Sequence, residues 1–195
     1  MTPIDRSQLE RALEALGELL ESRGSHYEVV LIGGGNLILR GLVGRTTDDL
    51  DLLGAWTAHG IEPMRPMPEP LYSAIVDVAA NYGLANDWMN LGPDSLLEFD
   101  LPEGFYGRLE RRDYRGLVAW LADRVDMICF KLYAAVDQGS RSRHFQDLQE
   151  LGPDPTELLT AARWTMTHDT SPGYRSLLVK VLGEVGWPDA DGSLD

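Results

Sequence analysis

The sequence predicts an α/β (α+β) fold, a small mixed sheet with flanking helices followed by a C-terminal helical region. Three features lead there. Tyr27–Ile32 is a short apolar, β-branched run that ends in Gly33-Gly34-Gly35. Asp49 to Leu53 alternates acidic and apolar residues, the period of a half-buried strand. After residue 122 the apolar residues recur at helical spacing. Residues 1–121 are therefore expected to form the α/β core, and 122–195 a helical region that closes its cleft.

The elements follow in order. Thr2-Pro3-Ile4-Asp5 reads as a helix start, with Thr2 as the cap and proline in the first turn. Leu9, Leu13, Leu16 and Leu20 then lie on one helical face, and Gly24 stops the helix. Tyr27–Ile32 is the first strand. The three glycines form a turn, Asn36 to Leu42 a helix, and Gly44 its end. Asp49 to Leu53 is the second strand. Residues 54–70 hold Pro63, Pro66, Pro68 and Pro70 and read as an irregular excursion. A helix around Ile75, Val76, Ala79 and Ala80 closes near Gly83. Leu96 to Leu101 and Leu117 to Leu121 are strand candidates. Asp123 or a neighbour caps a helix reaching Asp137. Three more helices are expected, at His144 to Leu151, Thr156 to His168 and Tyr174 to Val185. A polar, frayed tail runs from Pro188 to Asp195.

Composition narrows the function classes. The first 23 residues carry acids throughout, so they are expected to be neither a leader nor an anchor. No stretch approaches the ~18 consecutive apolar residues of a membrane span, and no membrane partner is expected. Cys129 is the only cysteine, which excludes an internal disulfide and points to a reducing cytoplasm. His26, His59, His144 and His168 lack ligand spacing, so a zinc site is not expected. The net charge of −14 argues against general affinity for nucleic acid. Even so, Arg108, Arg111, Arg112, Arg115, Arg124, Lys131, Arg141 and Arg143 put eight of 17 basic residues in one band.

The chemistry concentrates in Leu31 to Leu53. Glycines after a strand let the backbone approach a ligand closely, and the first amides of the following helix favour an anion. Asp49 and Asp51, two apart on a strand, project to one face. Paired carboxylates form a hard oxygen site suited to Mg²⁺. A dinucleotide fingerprint fails because Ile38 stands where its third glycine belongs, and no Gly-Lys-Ser/Thr follows for a P-loop. No nucleophile elbow, zinc-protease motif or kinase set is present.

This stretch resembles the first motif of the DNA polymerase β-type nucleotidyltransferase superfamily, a glycine-rich turn followed by D-x-D. Arg45-Thr46-Thr47-Asp48-Asp49-Leu50-Asp51 is similar to the R-x-T-x-D-hydrophobic-D form of the AbiEii-like branch, which includes MenT-type toxins of toxin–antitoxin systems. Lys131-Leu132-Tyr133-Ala134 resembles that branch's K-L-x-A motif. Arg143 through Asp147-Leu148 resembles its basic residue followed by D-L, with His144 at a position that is usually acidic. Trp88-Met89-Asn90 resembles a W-L-N element to which no chemistry is assigned. The turn departs from the pattern in lacking a serine after its glycines.

The resemblance implies a nucleotidyltransferase fold and Mg²⁺-dependent transfer of a nucleoside monophosphate from an NTP. Asp49 and Asp51 would bind the metal. Gly34, Gly35 and Asn36 would seat the phosphates, joined by Arg45 and Thr47. Lys131 would contact nucleotide phosphates, and Asp147 would fix that lysine or the base. A third metal carboxylate is usual in the superfamily, and Glu98 and Asp100 are both candidates. The toxin branch implies CTP or another pyrimidine triphosphate, the 3′ end of a tRNA as acceptor, and a cognate antitoxin. Two other readings stay open: the same chemistry on a small molecule or protein, and a non-catalytic nucleotide- or partner-binding module.

Overall fold

The computed structural model describes residues 3–194. The chain divides into two compact units, Met1–Asp123 and Arg124–Asp195, described in turn. The predicted cap Thr2 lies outside the described residues. The cap is Asp5: its carboxylate accepts from the Gln8 amide, and the Gln8 side chain accepts from the Asp5 amide.

The first unit holds α1 (Arg6–Ser22), β1 (Tyr27–Ile32), α2 (Gly33–Leu39), β2 (Leu50–Thr57), β3 (Gly60–Glu62), α3 (Glu69–Tyr82), β4 (Met89–Asn90), α4 (Phe105–Arg108), β5 (Glu110–Tyr114) and β6 (Leu117–Leu121). The strands form one mixed sheet in the order β3-β2-β1-β6-β5, with β4 added beside β2. β1 runs antiparallel to β2 and parallel to β6. The fold is thus mixed α/β, as the sequence predicts.

Helix α1 buries Leu9, Leu13, Leu16 and Leu20 as its spacing requires, and it packs on α3 and the β5–β6 hairpin. Glycine permits that approach. A Cβ added at Gly17 would stand 1.6 Å from the Tyr114 carbonyl oxygen, and the Gly116 amide donates to the Gly17 carbonyl at 3.2 Å.

Several boundaries differ from expectation. The three glycines are the first residues of α2 rather than a turn before it, and the helix ends at Leu39. Gly41, not Gly44, ends it: at φ 70° its amide and that of Leu42 reach the Ile38 and Leu37 carbonyls. Strand β2 continues to Thr57 and turns into β3, so the irregular excursion is confined to the proline-bearing part. Leu96 to Leu101 is not a strand. Asp94–Glu98 is a short 3-10 helix, and β3 already occupies the neighbouring edge of β2 at Ala55–Thr57. Strand β5 escapes a hydrophobicity reading because Glu-Arg-Arg-Asp-Tyr is an edge strand with charged outward residues.

The second unit is helical: α5 (Arg124–Gln138), α6 (Arg143–Leu151), α7 (Pro155–Met166) and α8 (Pro172–Val185). Ser142, Asp154 and Ser171 cap the last three through side-chain oxygens. Phe130 on α5 meets Trp164 on α7 edge to face at 5.5 Å. Cys129 is fully buried. The tail keeps a short 3-10 turn at Asp191–Ser193, where Arg175 grips Asp191 and Leu194 is buried. Among the described residues no helix is long and apolar enough to cross a membrane.

Candidate functional site

The site is built where β1 gives way to α2 beside the start of β2. Ile32 pairs with Asp51 across the sheet, which brings Gly33 against the aspartate. Gly33 has φ 77°, and a Cβ added there would stand 1.8 Å from Asp51 Oδ2. Leu50, between the two aspartates, is fully buried, and its Cδ1 would lie 2.5 Å from a Cβ at Gly35. Strand β2 begins at Leu50 rather than at Asp49 as expected, so Asp49 precedes the strand and Asp51 is its second residue; both are half-buried.

Strand β4 supplies a third residue. It pairs parallel to β2, with Asn90 opposite Asp51. Asn90 Nδ2 donates to Asp49 Oδ2 at 3.1 Å, and Asn90 Oδ1 accepts from the Gly92 amide at 2.7 Å. A Cβ added at Gly92 would meet Asn90 Oδ1 at 2.9 Å and Asp51 Oδ1 at 3.8 Å. Both carboxylates therefore border the Asn90–Gly92 turn. Trp88 explains why this turn is held: it is fully buried, its indole N–H donates to the Ile75 carbonyl, and its own carbonyl accepts from the Leu50 amide at 2.6 Å. The Trp-Met-Asn element is an anchor, a ladder residue and a carboxylate partner. Sequence reasoning saw the pattern and missed the role, because a two-residue strand has no periodicity to detect.

The other expected phosphate residues divide. The Arg45 guanidinium covers Gly34, with Nη2 only 2.7 Å from where a Cβ would be, and Nη1 donates to the Thr46 carbonyl at 2.7 Å. Arg45 also lines a cavity of about 380 Å³ with Arg6, Ser7 and Gly41. Thr47 is buried; its hydroxyl donates to the Asp49 carbonyl at 3.0 Å, and its backbone bridges Ile4. It shapes the entry to β2. Asn36 is fully buried, and Nδ2 donates to the Ala122 carbonyl at 3.1 Å. Arg40 also grips the end of β6, donating to the Ala122 carbonyl and pairing with Asp123 at 3.0 Å.

Neither candidate for a third carboxylate reaches a strand. Glu98 ends the 3-10 helix, Asp100 follows it, and both are exposed. Among the described residues no three acidic, histidine or cysteine side chains converge as a metal-holding group. Two carboxylates with a neutral amide beside them still suit a hard divalent cation that completes its shell with phosphate oxygens and water.

In the second unit, Lys131 Nζ pairs with Asp147 Oδ2 at 2.7 Å, and both are buried. The pair joins α5 to α6. The basic band is largely spoken for: Arg111 pairs with Asp113, Arg112 with Glu10, Arg115 with Glu18, and Arg124 with Glu157.

No curated protein and no solved structure matches the chain. A family model described as "Nucleotidyltransferase of unknown function (DUF6036)" matches residues 7–150, well over half the length. The match includes the glycines, both aspartates, Asn90, Lys131 and Asp147, and so the chain belongs to the DUF6036 family of nucleotidyltransferases.

Proposed function

We propose that the protein transfers a nucleoside monophosphate from a nucleoside triphosphate to a hydroxyl acceptor. The acceptor hydroxyl's oxygen would form the new bond to the α-phosphorus and lose its proton to solvent, the bond between the α-phosphorus and its bridging oxygen would break, and pyrophosphate would leave. The observation that supports this reading is that Asn90 meets both acids, bonding Asp49 and pairing opposite Asp51, while Asp51 lies against Gly33. Asp49 and Asp51 would hold Mg²⁺, which supplies neutralisation of phosphate charge and acidifies the attacking hydroxyl. The chain's own part is positioning: Gly33 admits the Asp51 carboxylate, Asn90 orients Asp49, and Arg45 brings positive charge to Gly34. For Lys131 the resemblance implies contact with nucleotide phosphates, and its 2.7 Å pairing supports the companion idea that Asp147 fixes it.

The finer reading follows the resemblance: a toxin of a toxin–antitoxin system, using CTP and a tRNA 3′ end, neutralised by a cognate antitoxin in the cytoplasm. One observation favours a second reading, in which a small molecule or protein is the acceptor. The chain carries −14, and most of its basic band is engaged in ion pairs within the fold. The test is incubation with Mg²⁺ and each α-labelled ribonucleoside triphosphate, with total RNA or total protein as acceptor. Label on tRNA from CTP supports the toxin reading. Label on protein or a small molecule supports the second. No transfer to anything, with Asp49→Asn indistinguishable from wild type, overturns both.

A further inference from the structure

The amide of Asn90 has its orientation fixed by two opposite demands. Gly92 offers an N–H, which only the amide oxygen can accept, and Asp49 offers a carboxylate oxygen, which only the amide nitrogen can satisfy. Turning the amide over would set oxygen against oxygen and nitrogen against N–H. Strand β4 holds the residue in place through the Trp88 anchor and the ladder with β2. We propose that Asn90 is a positioning residue of the site, acting through Asp49, and that its neutrality keeps the site at two negative charges. This rests on the reading of Asp49 and Asp51 as cation ligands.

Physically, one N–H pins one oxygen of Asp49 and so restricts the carboxylate's rotation. An acid at position 90 would still accept from the Gly92 amide but would place a third carboxylate within hydrogen-bond distance of Asp49. Like charges so close repel until a cation is bound, and then all three attract it. Position 90 thus decides how strongly the site holds a free cation and how fully it relies on a triphosphate to bring one.

Isothermal titration with Mn²⁺ alone tests this on the full chain, comparing wild type, N90A, N90D and D49N, with folding checked by circular dichroism. N90A should weaken Mn²⁺ binding roughly tenfold or more, as loss of a ligand-orienting partner does. N90D, which keeps the Gly92 bond, should bind Mn²⁺ more tightly than wild type yet turn over more slowly. D49N should lose binding. If N90A and N90D bind as wild type while D49N does not, the positioning role is overturned and the cation site stands. If D49N binds like wild type, the cation-site reading falls and takes the proposal with it.

Discussion

Gly33 and Asp51 are fitted to each other. The aspartate's Oδ2 lies 1.8 Å from the point where any side chain at Gly33 would begin, and the glycine's φ of 77° is one that L side chains rarely adopt. The carboxylate direction is therefore set by a missing atom on the neighbouring strand end.

Gly33→Ala should cost about 1–2 kcal/mol from backbone strain alone. It should also displace the Asp51 carboxylate, for which a loss in kcat/KM on the order of 10²-fold is expected. Urea denaturation and a transfer assay on the same preparation would separate the two effects.

Asp49→Asn and Asp51→Asn should each lower kcat/KM by about 10²-fold or more while leaving the fold intact. Both side chains are half-buried and neither fills the core. Thermal denaturation should shift little, and a collapse in stability would refute the assignment of these residues to chemistry.

Breaking the buried Lys131–Asp147 pair from one side should be severe. Asp147→Ala removes the carboxylate that the buried Lys131 ammonium pairs with and should destabilise by about 3–5 kcal/mol. The double variant K131M/D147L, which removes both charges, should recover most of that stability. If it recovers stability without recovering transfer, the pair also serves the reaction.

Gly17→Ala should destabilise by at least the ~1–3 kcal/mol typical of overpacking, because the new methyl would overlap the Tyr114 carbonyl. The gain in helix propensity is smaller than this clash. The denaturation midpoint should fall without loss of transfer activity in the remaining folded protein.

Tyr114 gives a pH test of the α1–β5 contact. Burial first, and then the Glu10 carboxylate to which its hydroxyl donates at 2.8 Å, push the phenol above the ordinary tyrosine range. The native state keeps a proton that the unfolded chain releases. The resulting stabilisation is whole below the unfolded value of about 10 and is lost as pH rises towards the folded value. Urea midpoints should begin to fall above about pH 10 and go on falling as pH rises, and Tyr114→Phe should flatten that part of the dependence.

The sequence showed what is local. Helix α1, strand β1, the glycine segment, the acidic start of β2 and the last three helices announce themselves by spacing, capping residues and turn chemistry. What it hid was non-local. A two-residue strand at Met89–Asn90 has no pattern of its own, and β5 exists only because β6 offers it an edge. The acids at 98 and 100 looked like a strand because alternation alone cannot say whether an edge is available to pair with. The contact of the Asn36 side chain with the Ala122 carbonyl was hidden because sequence order does not reveal which distant segment a short helix meets.

By itself, the sequence determined α1, β1, the helices of the second unit and the closeness in the chain of the glycines to Asp49 and Asp51, since periodicity and backbone freedom act over a few residues. Only the tertiary structure decided that Asn90 meets Asp49, that Glu98 and Asp100 lie outside any strand, and that Arg111, Arg112, Arg115 and Arg124 pair with the protein's own acids. Those outcomes depend on which distant segments meet, and a chain's local preferences carry no record of that.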